Sequence, residues 1–372
     1  MKKYFVMAAL AVSTLTASAQ SVVPKWINNV KLSGFGIVQY TYNGQENNES
    51  NSFNLRLARL ALDGRAFDDW YWKAQIQFNG NTSTLGSSPK LVDLFIEWQK
   101  YDFLRVKAGQ FKNPFTYENP MHPIDQGFMG YSQVISKFAG FSDRAGAHSS
   151  NGRDIGVQLQ GDFLKIASGR NLIHYQVGVF NGQGINVKDV DQQKNIIGGA
   201  WVMPVEGMRL GAFGWIGSYA RKGTSASEGI TNTTLRRLQQ RRYAFSAEYK
   251  VDDWTFRSEY VHSTGYAFAK AMVNTNDASA KDITLSSNGD KSQGVYALVI
   301  APIIKKKCHA KARYDMYQPS KGAEKQRTQY EIGLDYYFNK NICLTGEYAY
   351  IHDRALADPN YSMIDVELSY RF

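Results

Sequence analysis

Ile364-Asp365-Val366-Glu367-Leu368-Ser369-Tyr370-Arg371-Phe372, the last nine residues, alternate without a break. Ile364, Val366, Leu368, Tyr370 and Phe372 point one way, and Asp365, Glu367, Ser369 and Arg371 point the other. A side-chain period of two is a β-strand. The polar face carries full charges and so must meet water. An apolar face ending in two aromatics would be an aggregation hazard on the edge of a soluble sheet. It suits the wall of a membrane barrel, greasy outside and wet inside.

Working backwards from this strand, the pattern recurs sixteen times: about 29–42, 52–66, 70–80, 90–100, 103–111, 151–161, 171–181, 193–204, 207–219, 238–250, 253–265, 290–301, 306–318, 326–338, 341–352 and 361–372. The connections alternate in length. Long ones (43–51, 112–150, 220–237, 266–289) are rich in Asn, Ser, Gly and Thr, whereas short ones include Phe67-Asp68-Asp69, Tyr101-Asp102, Pro204-Val205-Glu206 and Asn339-Lys340. Tight periplasmic turns and long outer loops produce this sorting, to which 162–170 is the exception. The expectation is an all-β, 16-stranded antiparallel transmembrane barrel.

Faces follow from parity. In strand three, Trp72, Ala74, Ile76 and Phe78 face out while Lys73, Gln75 and Gln77 face in. In strand four, Val92, Leu94, Ile96 and Trp98 oppose Asp93, Glu97 and Gln99. In strand thirteen, Cys308, Ala310, Ala312, Tyr314 and Met316 oppose Lys307, His309, Lys311, Arg313 and Asp315. In strand fourteen, Tyr330, Ile332, Leu334 and Tyr336 oppose Gln329, Glu331 and Asp335. Charges at every second position would cost about 2–4 kcal/mol each at mid-bilayer, so they line a hydrated interior. Sixteen strands enclose an aqueous channel rather than a packed core.

Two regions break the parity. Arg56 and Arg59 share a face only if a bulge lies near Ala58. Ile196 to Ile216 is apolar on both faces, implying either contact with a neighbouring subunit or an interior face covered by a loop. Segment 112–150 is long and aromatic enough to fold into the lumen, placing Lys137, Asp143, Arg144 and His148 at a constriction. An ordered cap outside the barrel is the alternative.

Residues 1–19 read as a secretory signal: Lys2 and Lys3, an apolar run to Leu15, then Ala17-Ser18-Ala19. Its removal takes the formal charge from +10 to +8 by loss of the two lysines and leaves 20–372 as one barrel domain. Only Gln20 to Asn28 then precede strand one, too few for a plug. Cys308 and Cys343 fall on non-adjacent strands and opposite faces, so no disulfide is expected between them.

The stretch Arg56-Leu57-Ala58-Arg59-Leu60-Ala61-Leu62-Asp63-Gly64, then Trp72-Lys73-Ala74-Gln75-Ile76-Gln77-Phe78, Val106-Lys107-Ala108-Gly109-Gln110-Phe111-Lys112-Asn113-Pro114-Phe115 with Glu118, and Gly152-Arg153-Asp154-Ile155-Gly156-Val157, resembles the phosphate-selective porin O and P family of outer-membrane proteins. The resemblance spans about 50 to 185. It implies a sixteen-stranded homotrimer with its third outer loop folded inward, a C-terminal Phe372 serving as insertion signal, and arginines and lysines that bind phosphate. Candidate pore-lining bases here are Arg56, Arg59, Lys73, Arg105, Lys107, Arg242, Arg257, Lys307, Lys311 and Arg313. Departing from a pure anion funnel, roughly as many acids are assigned inward: Asp63, Asp93, Glu97, Asp154, Glu248, Glu259, Asp315, Glu331, Asp335, Glu347, Asp365 and Glu367. The bases concentrate on strands two to five and thirteen, the acids on fourteen to sixteen. Each base has a salt bridge to a facing acid as its plain structural role.

An enzyme needs a convergent site. The six His are scattered without metal-ligand spacing, and no nucleophile elbow or phosphate-cradling loop is present. The reading is therefore a passive outer-membrane channel, with no enzyme activity, cofactor or metal expected, for small hydrophilic solutes and with mild preference for anions such as phosphate. Outer-membrane lipid and two further copies of the chain are the expected partners. Nucleic acid is excluded by secretion and dispersed bases. The alternative is a barrel scaffold whose long outer loops serve adhesion.

Overall fold

The computed structural model describes residues 26–78, 89–145, 150–269, 279–280, 283–286 and 291–372. The assigned signal lies outside these residues, as does His148. Sixteen strands form the ring. The first four are β1 (Ile27–Asn43), β2 (Ser50–Ala66), β3 (Trp70–Gln77) and β4 (Lys90–Tyr101). Next come β5 (Leu104–Lys112), β6 (Arg153–Lys165), β7 (Asn171–Phe180) and β8 (Asn195–Val202). Then follow β9 (Met208–Ser225), β10 (Ile230–Val251), β11 (Trp254–Thr264) and β12 (Lys291–Ile304). The last are β13 (Cys308–Gln318), β14 (Arg327–Asn339), β15 (Ile342–Asp353) and β16 (Asn360–Arg371). Each pairs antiparallel with its sequence neighbours, and β1 with β16 closes the barrel. The terminal residue completes the seam, since Gly34 and Phe372 exchange backbone hydrogen bonds of 3.1 and 3.0 Å.

The period-two alternation produces the two faces. Phe53, Leu94, Ile196, Ile216, Ile332 and Leu334 are exposed on the outside, while Asp93, Glu97, Arg313, Glu331 and Asp335 are buried inside. Outward Tyr314, Tyr330 and Tyr350 are register partners on β13, β14 and β15.

The bulge in strand two is present, two residues before the expected position. Ile37 pairs with Leu57 but Val38 with Leu55, leaving Arg56 as the extra residue. That insertion resets the parity and turns both arginines inward. A second bulge went unread: Gln75 pairs with Asp93 and Ile76 with Leu91. Val92, assigned to the lipid face by parity, is the inserted residue and is buried.

Two connections are shorter than the sequence suggested. Segment 220–237 is not a loop, because β9 and β10 stay paired past the wall and turn only at 226–229. Clear of lipid, both faces of the hairpin tolerate polar residues, so alternation disappears while backbone pairing continues. Likewise β6 runs to Lys165, so the exceptional turn on the short side is only 166–170.

The described parts of the β5–β6 connection, 113–145 and 150–152, lie against inward-facing side chains. They hold a short 3₁₀ turn (Pro123–Asp125) and one helix, α1 (Gln133–Phe138). Ser132 Oγ caps α1 by accepting from Ile135 N at 3.2 Å, and the Glu118 carboxylate accepts from both Ser132 N and Oγ. Gly140 ends this turn of chain at φ +93. Phe115, Val134, Ile135 and Phe138 are fully buried. Phe115 meets Trp215 at 5.5 Å, Tyr117 meets Phe213 at 5.5 Å and Phe138 meets Tyr317 at 5.7 Å, in edge-to-face pairs. This is why β8 and β9 are apolar on both faces: the inner one packs on the loop, and the outer one keeps Ile196, Val202, Leu210 and Ile216 exposed.

Candidate channel lining and constriction

The loop is fastened through its backbone. Glu259 of β11 accepts from Tyr117 N (2.6 Å) and Glu118 N (2.9 Å). Asp315 of β13 accepts from Gln133 N at 2.8 Å, and Glu347 of β15 from Met129 N at 3.0 Å. Wall cations donate to loop carbonyls: Lys311 to Gly127 (2.8 Å), Arg313 to Gly130 (3.0 Å), Arg257 to Gln126 and Arg242 to Phe138. Buried backbone polar groups that would otherwise be orphaned are thereby satisfied.

The proposed bases fall into distinct groups. On the far wall each has an acid. Arg242 grips Asp143 at 2.7 and 2.8 Å; Arg257 meets Glu248 at 3.3 Å; Lys311 bridges Asp335 (2.8 Å) and Glu347 (2.7 Å); and Arg313 forks onto Glu331. Near the short-turn end, Arg105 pairs with Asp162 at 2.6 Å. Arg56 pairs with Glu367 at 2.7 Å, beneath the Tyr131 ring of the loop. Asp365 accepts from Gln39 at 3.0 Å. Of the loop residues, Arg144 donates to Gly265 O at 2.6 Å, and Lys137 lies 5.8 Å from the Tyr317 ring with its ammonium pKa lowered by burial. Lys307 does not line the lumen. It sits exposed in the turn 305–307, its ammonium 5.6 Å from the outward ring of Tyr336, because the strand begins only at Cys308 and parity no longer governs a turn residue.

Arg59, Lys73 and Lys107 share a cavity of about 340 Å³ against β2 to β7. Arg59 bonds Gln77 at 2.9 Å, and Lys107 stands 3.5 Å from Glu97. Two cations missed by parity join them, Lys112 and Arg153, which are cross-strand partners at the mouth of the loop. Lys112 donates to Met121 O at 2.6 Å, and Arg153 forks onto Asp93 at 2.6 and 3.1 Å. Both lay inside the stretch that carries the family resemblance, which was the available signal. Across the 3₁₀ turn, Pro123 also lines a second cavity of about 220 Å³, where Arg56, His309 and Lys311 face Asp125, Asp253, Asp335 and Glu367. One cavity is thus rich in base and the other in acid. His122, between them, packs edge-on to Phe35 at 4.4 Å, and burial pushes its pKa down to about 4. Among the described residues no cluster of three or more His, Cys, Asp or Glu is placed to hold a metal ion.

A closed sixteen-stranded ring, apolar outside and charged inside with a loop narrowing it, defines an outer-membrane porin. The model of the family described as phosphate-selective porin O and P matches residues 33–188, and so covers the stretch that carries the resemblance in the sequence. Among solved structures, the anion-selective porin from Comamonas acidovorans superposes with TM-score 0.63 at 13% identity, over 92% of this chain and 99% of that one. OmpF of Salmonella typhi gives 0.64 at 11% identity, over 94% and 99%. The outer membrane channel DcaP of Acinetobacter baumannii gives 0.60 at 14%, over 92% and 97%. At such identities the likeness is one of fold. No curated protein matches the chain.

Proposed function

We propose that this porin conducts small hydrophilic solutes passively, favours anions, and draws them along the β2–β6 wall. The observation that carries this reading is the cavity lined by Arg59, Lys73, Lys107, Lys112 and Arg153 with Asp93 as its carboxylate. Cations focused in a low-dielectric cleft raise the local concentration of anions. Arg242, Arg257, Lys311 and Arg313 are assigned a structural role, since each is bound to an acid and to the loop. Solutes cross by diffusion, without chemistry. A homotrimer is part of the proposal, supported by the trimer form of OmpT from Vibrio cholerae, which this chain resembles in fold with TM-score 0.57 at 14% identity, over 92% of this chain and 99% of that one. The adhesion alternative loses support, because the matching family model and the solved structures of like fold are porins and channels.

Planar-bilayer recording under a salt gradient tests the path. Lys73→Glu with Lys107→Glu should move the reversal potential toward cation selectivity, whereas Arg313→Met with Glu331→Leu, which removes a base together with its acid, should leave it near the starting value. An unchanged potential in the double variant removes this wall from the path.

A further inference from the structure

The outer surface of β10 to β14 carries a vertical sequence of chemistries that the channel does not use. At the long-loop end, Arg241, Thr264 and Lys291 are register partners on three adjacent strands. Arg241 and Lys291 are exposed, and among the described residues no acid pairs with either. One row deeper, Tyr243, His262, Gln293 and Gln318 are partners, with Tyr243 stacked on His262 at 5.2 Å and Gln293 donating to Gln318 at 2.7 Å. Tyr260 donates to Gln293 from the next row at 3.0 Å. Below that the wall is apolar and dented. Ala297 and Ala312 are small where their neighbours Val299, Tyr314, Tyr330 and Ile332 are large, leaving a groove of about 550 Å³ open to the outside.

Resting on the outer-membrane reading, we infer that this face is a binding site for a phosphate-bearing lipid of the outer leaflet, its phosphate held by Arg241 and Lys291 and one acyl chain laid in the Ala297–Ala312 groove. The dimensions agree. Lys291 and Ala297 are six residues apart on one strand, about 20 Å at roughly 3.3 Å per residue. That is the reach of a headgroup plus one fatty chain. The aromatic and amide row falls between charge and groove, where the interface places such groups. Charge complementarity selects an anionic headgroup, and the apolar lining of the groove by Ala297, Val299, Ala312 and Ile332 selects a hydrocarbon chain over a soluble ligand. Inorganic phosphate would satisfy the cations but not the groove.

Native mass spectrometry of purified protein titrated with bisphosphorylated lipid A, its dephosphorylated form and inorganic phosphate distinguishes the sources. Lipid A should bind most tightly. Arg241→Gln with Lys291→Gln should weaken it about twenty-five-fold, roughly fivefold for each basic residue at a membrane surface. Ala312→Trp should weaken both lipids by filling the groove. Conductance should not change in either variant, which separates failure here from failure of the channel reading. Equal binding of inorganic phosphate, or equal affinity for both lipids, would overturn the site. So would an Ala312→Trp variant that dissociates an oligomer while binding lipid A normally, because the face would then be a contact between copies.

Discussion

Replacing Asp143 by Asn should release the far end of the constriction loop. The Asp143 carboxylate and the Arg242 guanidinium are fully buried and joined by two charge-assisted hydrogen bonds of 2.7 and 2.8 Å. The same carboxylate accepts from Gly140 N at 3.1 Å and Ala145 N at 2.9 Å, which holds the chain after α1. An amide in its place keeps the shape but must point an N–H₂ at one set of donors. Arg242 keeps the Phe138 carbonyl and the faces of Trp215 and Tyr219 at 4.8 and 5.3 Å, none of which carries a full negative charge. Breaking a buried ion pair on one side costs about 3–5 kcal/mol. At about 1.4 kcal/mol per factor of ten, the docked form loses roughly two to three and a half decades against the released one. Single-channel recordings should show larger, noisier conductance, and limited proteolysis should cut within 112–145 in the variant before the wild type. Asp143→Leu with Arg242→Met, which removes both charges, should recover most of the docking. If Asp143→Asn matches wild type in conductance and in proteolysis, the pair does not hold the loop and the reasoning fails.

Gly152→Ala should loosen the same loop from its other end. Gly152 has φ +70, an added Cβ would stand 2.0 Å from Asn119 Oδ1, and Asn119 ties the carbonyls of Asn113 and Gly152 together. A cost of about 1–3 kcal/mol is expected, read as a lower thermal unfolding temperature of the purified protein. A third prediction concerns acid. His122 is half-buried, and that burial pushes its pKa down to about 4 from the ordinary 6.5, which favours the neutral ring. A depressed histidine pKa favours the docked loop fully above about pH 6.5, and that preference is lost progressively as pH falls toward about 4 because the released form takes up the proton first. Protease sensitivity of the loop should therefore rise between pH 7 and pH 4.5. His122→Asn should flatten the dependence, and a slope that survives the substitution would assign it to other groups.

The wall was legible because a membrane barrel has one rule per face, and lipid enforces it residue by residue. All sixteen strands and their closure follow from that rule, as does the Arg56 bulge, which the arginines at 56 and 59 betray by violating it. Legibility ends where the rule does. Val92 looks outward to a parity count because one inserted residue is invisible when no charge exposes it. Lys307 looks inward because a turn residue inherits the parity of a strand it has already left. Segment 220–237 looks like a loop because above the membrane nothing penalises a polar face. The tether between Asp143 and Arg242 joins residues 99 apart, and no local pattern records such a pair.

The near balance of inward acids and bases in the sequence suggested a lumen without strong charge preference. Contacts with the loop change that inference. Glu259, Asp315 and Glu347 accept from loop N–H groups, and Glu331 and Asp335 hold the arginine and lysine that donate to loop carbonyls. These acids are committed to fastening the constriction and lie beneath it, so their fields reach a passing ion only after cancellation by neighbouring bases. Across the 3₁₀ turn, the β2–β6 wall sets five cations against two acids, Asp93, which Arg153 already neutralises, and Glu97, which stands beside Lys107. Selectivity in such a pore depends on which charges remain after the loop has been anchored. On the proposed reading, a chain whose inward charges sum near zero would still present a positive wall to its solutes.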